Sequence, residues 1–353
     1  TGSGSTCSIG SPCSTVAVGV SKLAPGDKLI IGGGTYDEAI IDTVPSGSSP
    51  ASPTTIISAT GETVIIRPIS SSFHSIFNFS GAFDNILLDG LIIDGAGLTR
   101  NDLNLVNVEN GALRITVQNS ILKNSNGDCF GAHSVNSGGW LVKNNIFVDC
   151  GTFNFSTVPG LGAGHPIYVS NPGIIEGNEI YSTVSVYGFG IHIYGGDSAA
   201  GAVIVRNNYI HNFGGQGSIL VGAGTGSWAY NNVIINATNY GIQFEFGSCY
   251  SCSATNNTVV GSSLAAIYVR SASNLQIKNN LLIGNGTPID DTTGATASSN
   301  FCDGAGFGCT EIGAALFTDP NNGDFTLQAT SPAINCGVDV GLPSNGLPDC
   351  GAF

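Results

Sequence analysis

Positive charge is scarce in this chain. Ten Lys and Arg stand against 24 Asp and Glu, for a formal net charge of −14. Phosphate backbones are held by a basic stripe, so nucleic acid is excluded as a partner. The same balance weighs against a strongly anionic polysaccharide, unless a local basic patch outvotes the global field. Methionine is absent and charged residues make up only 10% of the chain. Strong helix formers are therefore few. No run of 18 apolar residues occurs, so no membrane span is expected. P-loop, dinucleotide and zincin motifs are missing as well. The only adjacent acidic pairs are Asp37-Glu38 and Asp290-Asp291, so there is no dense acidic loop. No cofactor is read from the sequence. Ca²⁺ stays compatible with it, because six to eight oxygens can include backbone carbonyls.

What the chain has in abundance is glycine, 51 of 353 residues, set among 42% apolar residues that alternate regularly. Gly and Asn then read as turn residues of a folded array. The ten cysteines fall into local pairs: Cys7 and Cys13, Cys129 and Cys150, Cys249 and Cys252, Cys302 and Cys309, Cys336 and Cys350. This spacing predicts five disulfides and an oxidising compartment, hence a secreted or cell-surface protein. Cys249-Tyr-Ser-Cys252 has no second CxxC and no βαβ context, so it reads as a structural bridge. Sequons at Asn78, Asn154, Asn236, Asn256 and Asn285 would accept glycans in a eukaryotic source. No signal-peptide pattern leads the chain and its first residue is Thr, as expected of a mature, processed polypeptide.

One frame recurs: a short apolar run, an Asn, then a second apolar run. It centres on Asn119, Asn145, Asn178, Asn208, Asn232, Asn257 and Asn280, in steps of 26, 33, 30, 24, 25 and 23 residues. A period in this range marks a solenoid, in which each repeat buries its apolar face on its neighbours. The runs are strands, so the expected fold is an all-β, single-stranded parallel β-helix. The Asn are assigned to a structural ladder, since Asn tolerates the left-handed bend and its amide can bond between stacked coils.

Gly26-Asp27 followed by Gly34-Thr35-Tyr36 resembles the opening of the right-handed, pectate-lyase-like parallel β-helix superfamily. The resemblance extends through the Asn-centred coils to about residue 290, and it implies the fold. Calcium is common in that superfamily. Residues 319–337 and 347–353 resemble a terminal module of bacterial extracellular β-helix surface proteins, which implies a cap stapled by Cys336 and Cys350. The expected organisation is a disulfide-clipped segment at 1–24, a parallel β-helix at 25–290 and a capping module at 291–353.

Each coil carries a further strand after its turn. Alternation places Ile167, Val169, Ile191, Ile193, Ile219, Val221, Ile242, Phe244, Ile267 and Val269 inward. The outward positions then stack as His133, Tyr168, His192, Leu220, Gln243 and Tyr268, with Ser170, Tyr194, Gly222, Glu245 and Arg270 beside them. Exposed imidazoles and phenols on one sheet are the densest functional signal here. Polysaccharide lyases and epimerases remove a proton α to a carboxylate, which takes a base and a neutralising cation. His192 or His165 would be the base, with His133 in the same column, and Tyr168 or Tyr194 would return a proton. Lys123, Arg206 or Arg270 would hold a uronate carboxyl, with Glu245 at the substrate as well. The competing interpretation is a polar ladder that merely covers the sheet.

A second column, four residues after each ladder Asn, runs Asp94, Lys123, Asp149, Ser182, Asn212 and Asn236. Its Asp94 and Asp149 would sit roughly 10 Å apart, at the edge of the inverting-glycosidase range. A Lys between them favours a surface ion-pair ladder instead. The segment Asn126–Phe130, with Gly164-His165-Pro166, faintly resembles polygalacturonase motifs. It has one Asp, Asp128, where that family has two, and no Arg-x-Lys follows. The sequence thus points to a carbohydrate-active protein, lyase-, epimerase- or hydrolase-like. The alternative is a non-catalytic adhesin or a fibre-forming, self-associating subunit. Polysaccharide is the expected partner.

Overall fold

In the computed structural model, strands bounded by Gly and Asn stack in parallel register into three long sheets. The structure describes residues 7–8, 10–69, 73–98, 100–132, 134, 136–157, 162–194, 201–222, 224–247, 249–343 and 346–352. Two compact units divide the chain, residues 1–188 and 189–353.

In the first unit, strands Lys28–Ile31, Thr54–Ser58, Asp84–Asp89, Leu113–Gln118, Trp140–Lys143 and Gly173–Glu176 form the first sheet. After each turn the chain enters the second sheet, for example at Ile92–Asp94, Ile121–Ser125 and Ile146–Cys150. The third sheet holds Ile40–Ile41, Ser75–Ser80, Asn104–Glu109, Phe130–Ala132 and Ile167–Val169. The second unit repeats the pattern, with Phe189–Ile193, Gly217–Val221, Tyr240–Phe244, Ala265–Val269 and Thr287–Asp291 in its third sheet. Every residue expected to point inward, from Ile167 to Val269, is at most 2% exposed. Each coil is too thin to exclude water alone, and burial against its neighbours supplies the driving force.

The Asn ladder is present, with one correction. The left-handed bend and the buried amide belong to two consecutive residues, not to one. Asn119, Asn144, Asn207, Asn231, Asn256 and Asn279 hold the positive φ. The next residue carries the ladder: Asn145, Asn178, Asn208, Asn232, Asn257, Asn280 and also Asn300, all at most 1% exposed. Asn119 is therefore a turn residue, and Ser120 fills its ladder place, receiving Leu91 N and donating its own N–H to Asn145 Oδ1. Within the second unit, Asn208, Asn232, Asn257, Asn280 and Asn300 are linked by amide bonds of 2.9–3.0 Å. Their spare N–H groups go to strand carbonyls that would otherwise be buried without partners.

All ten cysteines pair as expected. Residues 7–24 include a single helical turn, Val16–Val20. Coil strands continue beyond residue 290, through Thr296–Ser298, Asn300–Cys302 and Cys309–Ile312. The last segment packs Ala315, Ala333 and Cys350 on Leu281 and Phe301. It also reaches back along the flank, where Asn279 exchanges hydrogen bonds with Val338 and Asn256 donates to Asp349 O. The amide nitrogens of the Asn256 and Asn285 sequons are thus occupied by structural bonds. Among the described residues, no helix is long and apolar enough to cross a membrane.

Candidate active site

Backbone stacking positions the chemistry of the first unit. A side chain on Gly164 would collide with the Gly127 backbone at 2.6 Å, and one on Gly127 with Leu103 O at 2.5 Å. Only glycine lets these connections lie so close. The residue after each glycine is carried into the same place: Asp128 Oδ1 accepts the His165 N–H at 2.8 Å. The disulfide Cys129–Cys150 clamps the strand that follows Asp128. This contact gives the Gly-Asp and Gly-His pair a physical reason.

Asp128 is 6% exposed, and burial pushes its carboxyl up to about 7, partly offset by the His165 N–H bond. Asn104 Oδ1 accepts its backbone N–H at 3.2 Å. Its Oδ2 lies beside the outer face of the third sheet, 3.5 Å from where a Cβ on Gly131 would stand, and Asn104 Nδ2 is 3.4 Å from that point.

The outer row of this sheet runs Asn78, Asn107, Gly131 and Tyr168. The partner of Tyr168 is thus Gly131 and not His133, because Phe130 and Ala132 pair with Ile167 and Val169 through their inward side chains. His133 itself lies outside the described residues. Asn107 Nδ2 donates to Asn78 Oδ1 at 2.8 Å, and Asn78 donates to Asp42. The His165 ring is buried and stands 5.0 Å from the ring of half-buried Tyr168. A row of amides thus leads to Gly131, where Asp128 and Asn104 stand against the place of the missing side chain and Tyr168, with His165 beside it, follows on the next strand.

The second unit places His192 opposite Leu220, then Gln243 and Tyr268, as the alternation predicts, and the row continues to Asp290. His192 lies 6.0 Å from Tyr194, which is 43% exposed. Leu220 and Gln243, expected on an open face, are buried. Arg270 is ion-paired to Asp290 at 2.8 Å and stacked 3.9 Å over Tyr268, which itself stacks on Tyr240. Glu245 accepts from Gln243. This part of the face is tied to itself.

Two expected substrate-binding cations are elsewhere. Lys123 is on the second sheet, paired with buried Asp94 at 3.6 Å. Arg206 is on the first sheet and donates to Tyr230 Oη at 2.8 Å. Of the Asp94–Lys123–Asp149 column only the Asp94–Lys123 pair forms, since Lys123 faces Val148 on the following strand and not Asp149. Asp149 instead caps the turn at Thr183, accepting its N–H and hydroxyl. The shift is the same one-residue offset that removed Asn119 from the ladder.

Sequence reasoning passed over His74, Asn104 and Asn107, met Asn78 only as a sequon, and used Asp128 only as a defective motif. Strand alternation in Ser75–Ser80 and Asn104–Glu109, with Asn between inward apolar residues, was the signal for the amides. Among the described residues, no three His, Cys, Asp or Glu side chains converge as metal ligands.

Residues 131–303 match the family described as right handed beta helix region. A comparison with curated proteins gives no match. Among solved structures, pectate lyase Pel9A is similar with a TM-score of 0.75 at 15% identity, over 98% of this chain and 92% of that one. A complex of XylC with xylose aligns with a TM-score of 0.57 at 12% identity, over 82% and 68% of the two chains. An alginate lyase from Paenibacillus sp. str. FPU-7 aligns with a TM-score of 0.54 at 16% identity, over 80% and 95%. At these identities the likeness carries the fold. The chain has an all-β, right-handed parallel β-helix fold, and residues 131–303 within it match the right handed beta helix region.

Proposed function

We propose that the protein is a carbohydrate-active enzyme that cleaves a polysaccharide lying along the outer face of the third sheet in its first unit. The observation that carries this is buried Asp128, held near pKa 7 beside Gly131, accepting the His165 N–H, with Tyr168 opposite Gly131 on the next strand. A carboxyl with this pKa exchanges a proton at neutral pH at little cost, as a general acid or base must. Asn78, Asn104 and Asn107 supply the donors and acceptors that sugar hydroxyls need. Gly131 itself puts no side chain in the way of a ring on this face. Five disulfides fit work outside a reducing cytoplasm.

The interlocked face of the second unit supports the other reading, in which the protein binds or assembles without catalysis. Incubation with a panel of neutral and uronic polysaccharides separates the two. New reducing ends are expected from at least one glycan, and unsaturated-uronate absorbance would identify elimination. Retention of a glycan without any product would leave a binding protein. Neither product nor retention would end the carbohydrate reading for that panel.

A further inference from the structure

A cleft of ≈ 580 Å³ opens on the same face of the first unit, lined among others by Phe73, His74, Asn78, Asp102, Asn104, Asn107 and Glu109. Its rim carries a relay that the sequence did not reveal. His74 Nδ1 lies 3.1 Å from Asp102 Oδ2, and Arg100 grips the same carboxylate through Nε at 3.0 Å and Nη2 at 2.9 Å. These bonds from Arg100 hold the Asp102 carboxyl below its ordinary range, so it stays charged. With Nδ1 engaged by Asp102, Nε2 is the nitrogen that His74 can present to a ligand. The bonds among Asn78, Asn104 and Asn107 set the orientation of their amides.

Charge decides what such a cleft can hold. Asp102 and Glu109 line it, and Asp42 sits behind Asn78. Against these three carboxylates there is one guanidinium, Arg100, already bonded twice to Asp102. The balance is −2, or −1 if His74 is protonated. Of the other cations in this unit, Arg67 and Lys123 pair with Asp94, Arg114 with Asp84 and Lys143 with Glu176, and neither Lys22 nor Lys28 lines the cleft. A uronate would bring a further negative charge to a cleft whose lining holds no Lys or Arg. Oriented amides suit hydroxyls, each of which both donates and accepts. Phe73 adds an apolar surface for the C–H face of a ring.

We propose that this cleft is a subsite for a neutral, hydroxyl-rich sugar and that it turns away uronic acids. The proposal rests on the reading that this face holds a glycan. It also names the reaction class, because a neutral ring has no carboxylate to acidify a neighbouring C–H. Cleavage is then hydrolysis: the glycosidic C–O bond breaks, water gives its hydroxyl to the anomeric carbon, and a proton goes to the leaving oxygen.

Affinity electrophoresis tests this in gels cast with a neutral polysaccharide (xylan, β-glucan or mannan) or a uronic one (polygalacturonate or alginate). Retardation is expected in at least one neutral gel and in neither uronic gel. His74→Ala and Asn107→Ala should each weaken it about tenfold, the worth of one or two good hydrogen bonds. His74 is 65% exposed, so its variant reports on binding even if Asn107→Ala is poorly folded. Retardation by uronic gels alone would overturn the neutral class and leave the glycan reading standing. Neutral retardation untouched by the His74 variant, and by a folded Asn107 variant, would overturn the assignment to this cleft. No retardation in any gel would overturn both.

Discussion

Asp128→Asn should lower kcat/KM on a cleaved glycan by about 10²–10⁴-fold, the usual weight of a positioned acid or base. The amide is isosteric and can still accept the His165 N–H through its oxygen, so the Gly127–Gly164 stack is kept. What disappears is the exchangeable proton. The pH profile assigns the role. If Asp128 is the acid that protonates a leaving oxygen, activity falls as pH rises through about 7; if it is the base, activity falls as pH drops through it. A variant with undiminished activity would remove Asp128 from the chemistry.

Stability gives the same variant a second readout. The carboxyl rises from 3.8 unfolded to about 7 folded, so the folded chain holds a proton that the unfolded chain releases. Its stabilising contribution is complete below about pH 4 and is lost as pH rises to about 7. The swing is about 4 kcal/mol, from about 1.4 kcal/mol for each pKa unit. Denaturant midpoints should therefore show Asp128→Asn gaining on the parent across that window and holding its lead above it. Parallel curves for the two proteins would mean that the carboxyl is not held neutral by burial.

Asn232→Ala is expected to be the most damaging single change in the second unit, at roughly 4 kcal/mol or more. The side chain is fully buried. Its Oδ1 accepts from Asn208 N and Nδ2, at 3.1 and 2.9 Å, and its Nδ2 donates to Val205 O and to Asn257 Oδ1. Truncation orphans several of these groups at about 1–3 kcal/mol each. Asn231, one residue earlier, makes the control. Its φ is +52°, so Ala there costs only the left-handed strain, about 1–2 kcal/mol, and Gly costs less. Equal denaturant midpoints for the Asn231→Ala and Asn232→Ala variants would refute this division of labour.

The architecture was legible because it repeats. A period read seven times survives a slip at one copy, and inward Ile and Val mark the core of every coil. The same tolerance hid the slip at Asn119, where Ser120 fills the ladder. That single residue displaced Lys123 against Asp149 and produced an acidic pair that the fold does not contain. Register at the third sheet was harder still, since the connections around it vary in length. Tyr168 was placed opposite His133, whereas the inward pairing of Phe130 with Ile167 sets it against Gly131. An absent side chain gives no signal in a sequence, yet the gap it leaves is the centre of the candidate site. Asp128 looked like half of a failed motif, because neither its burial nor the approach of Gly164 to Gly127 can be read from residue types alone.

Gly131→Val tests the central claim most directly. The added Cβ meets Asn104 and Asp128 at ordinary contact distances of 3.4–3.6 Å, and a β-branched residue suits a strand. The fold should persist with an unchanged or slightly raised melting temperature, while the methyl groups cover the gap beside Asp128. Loss of glycan cleavage in this well-folded variant is the expected result. Full cleavage by the same variant would contradict the placement of the active site on this face.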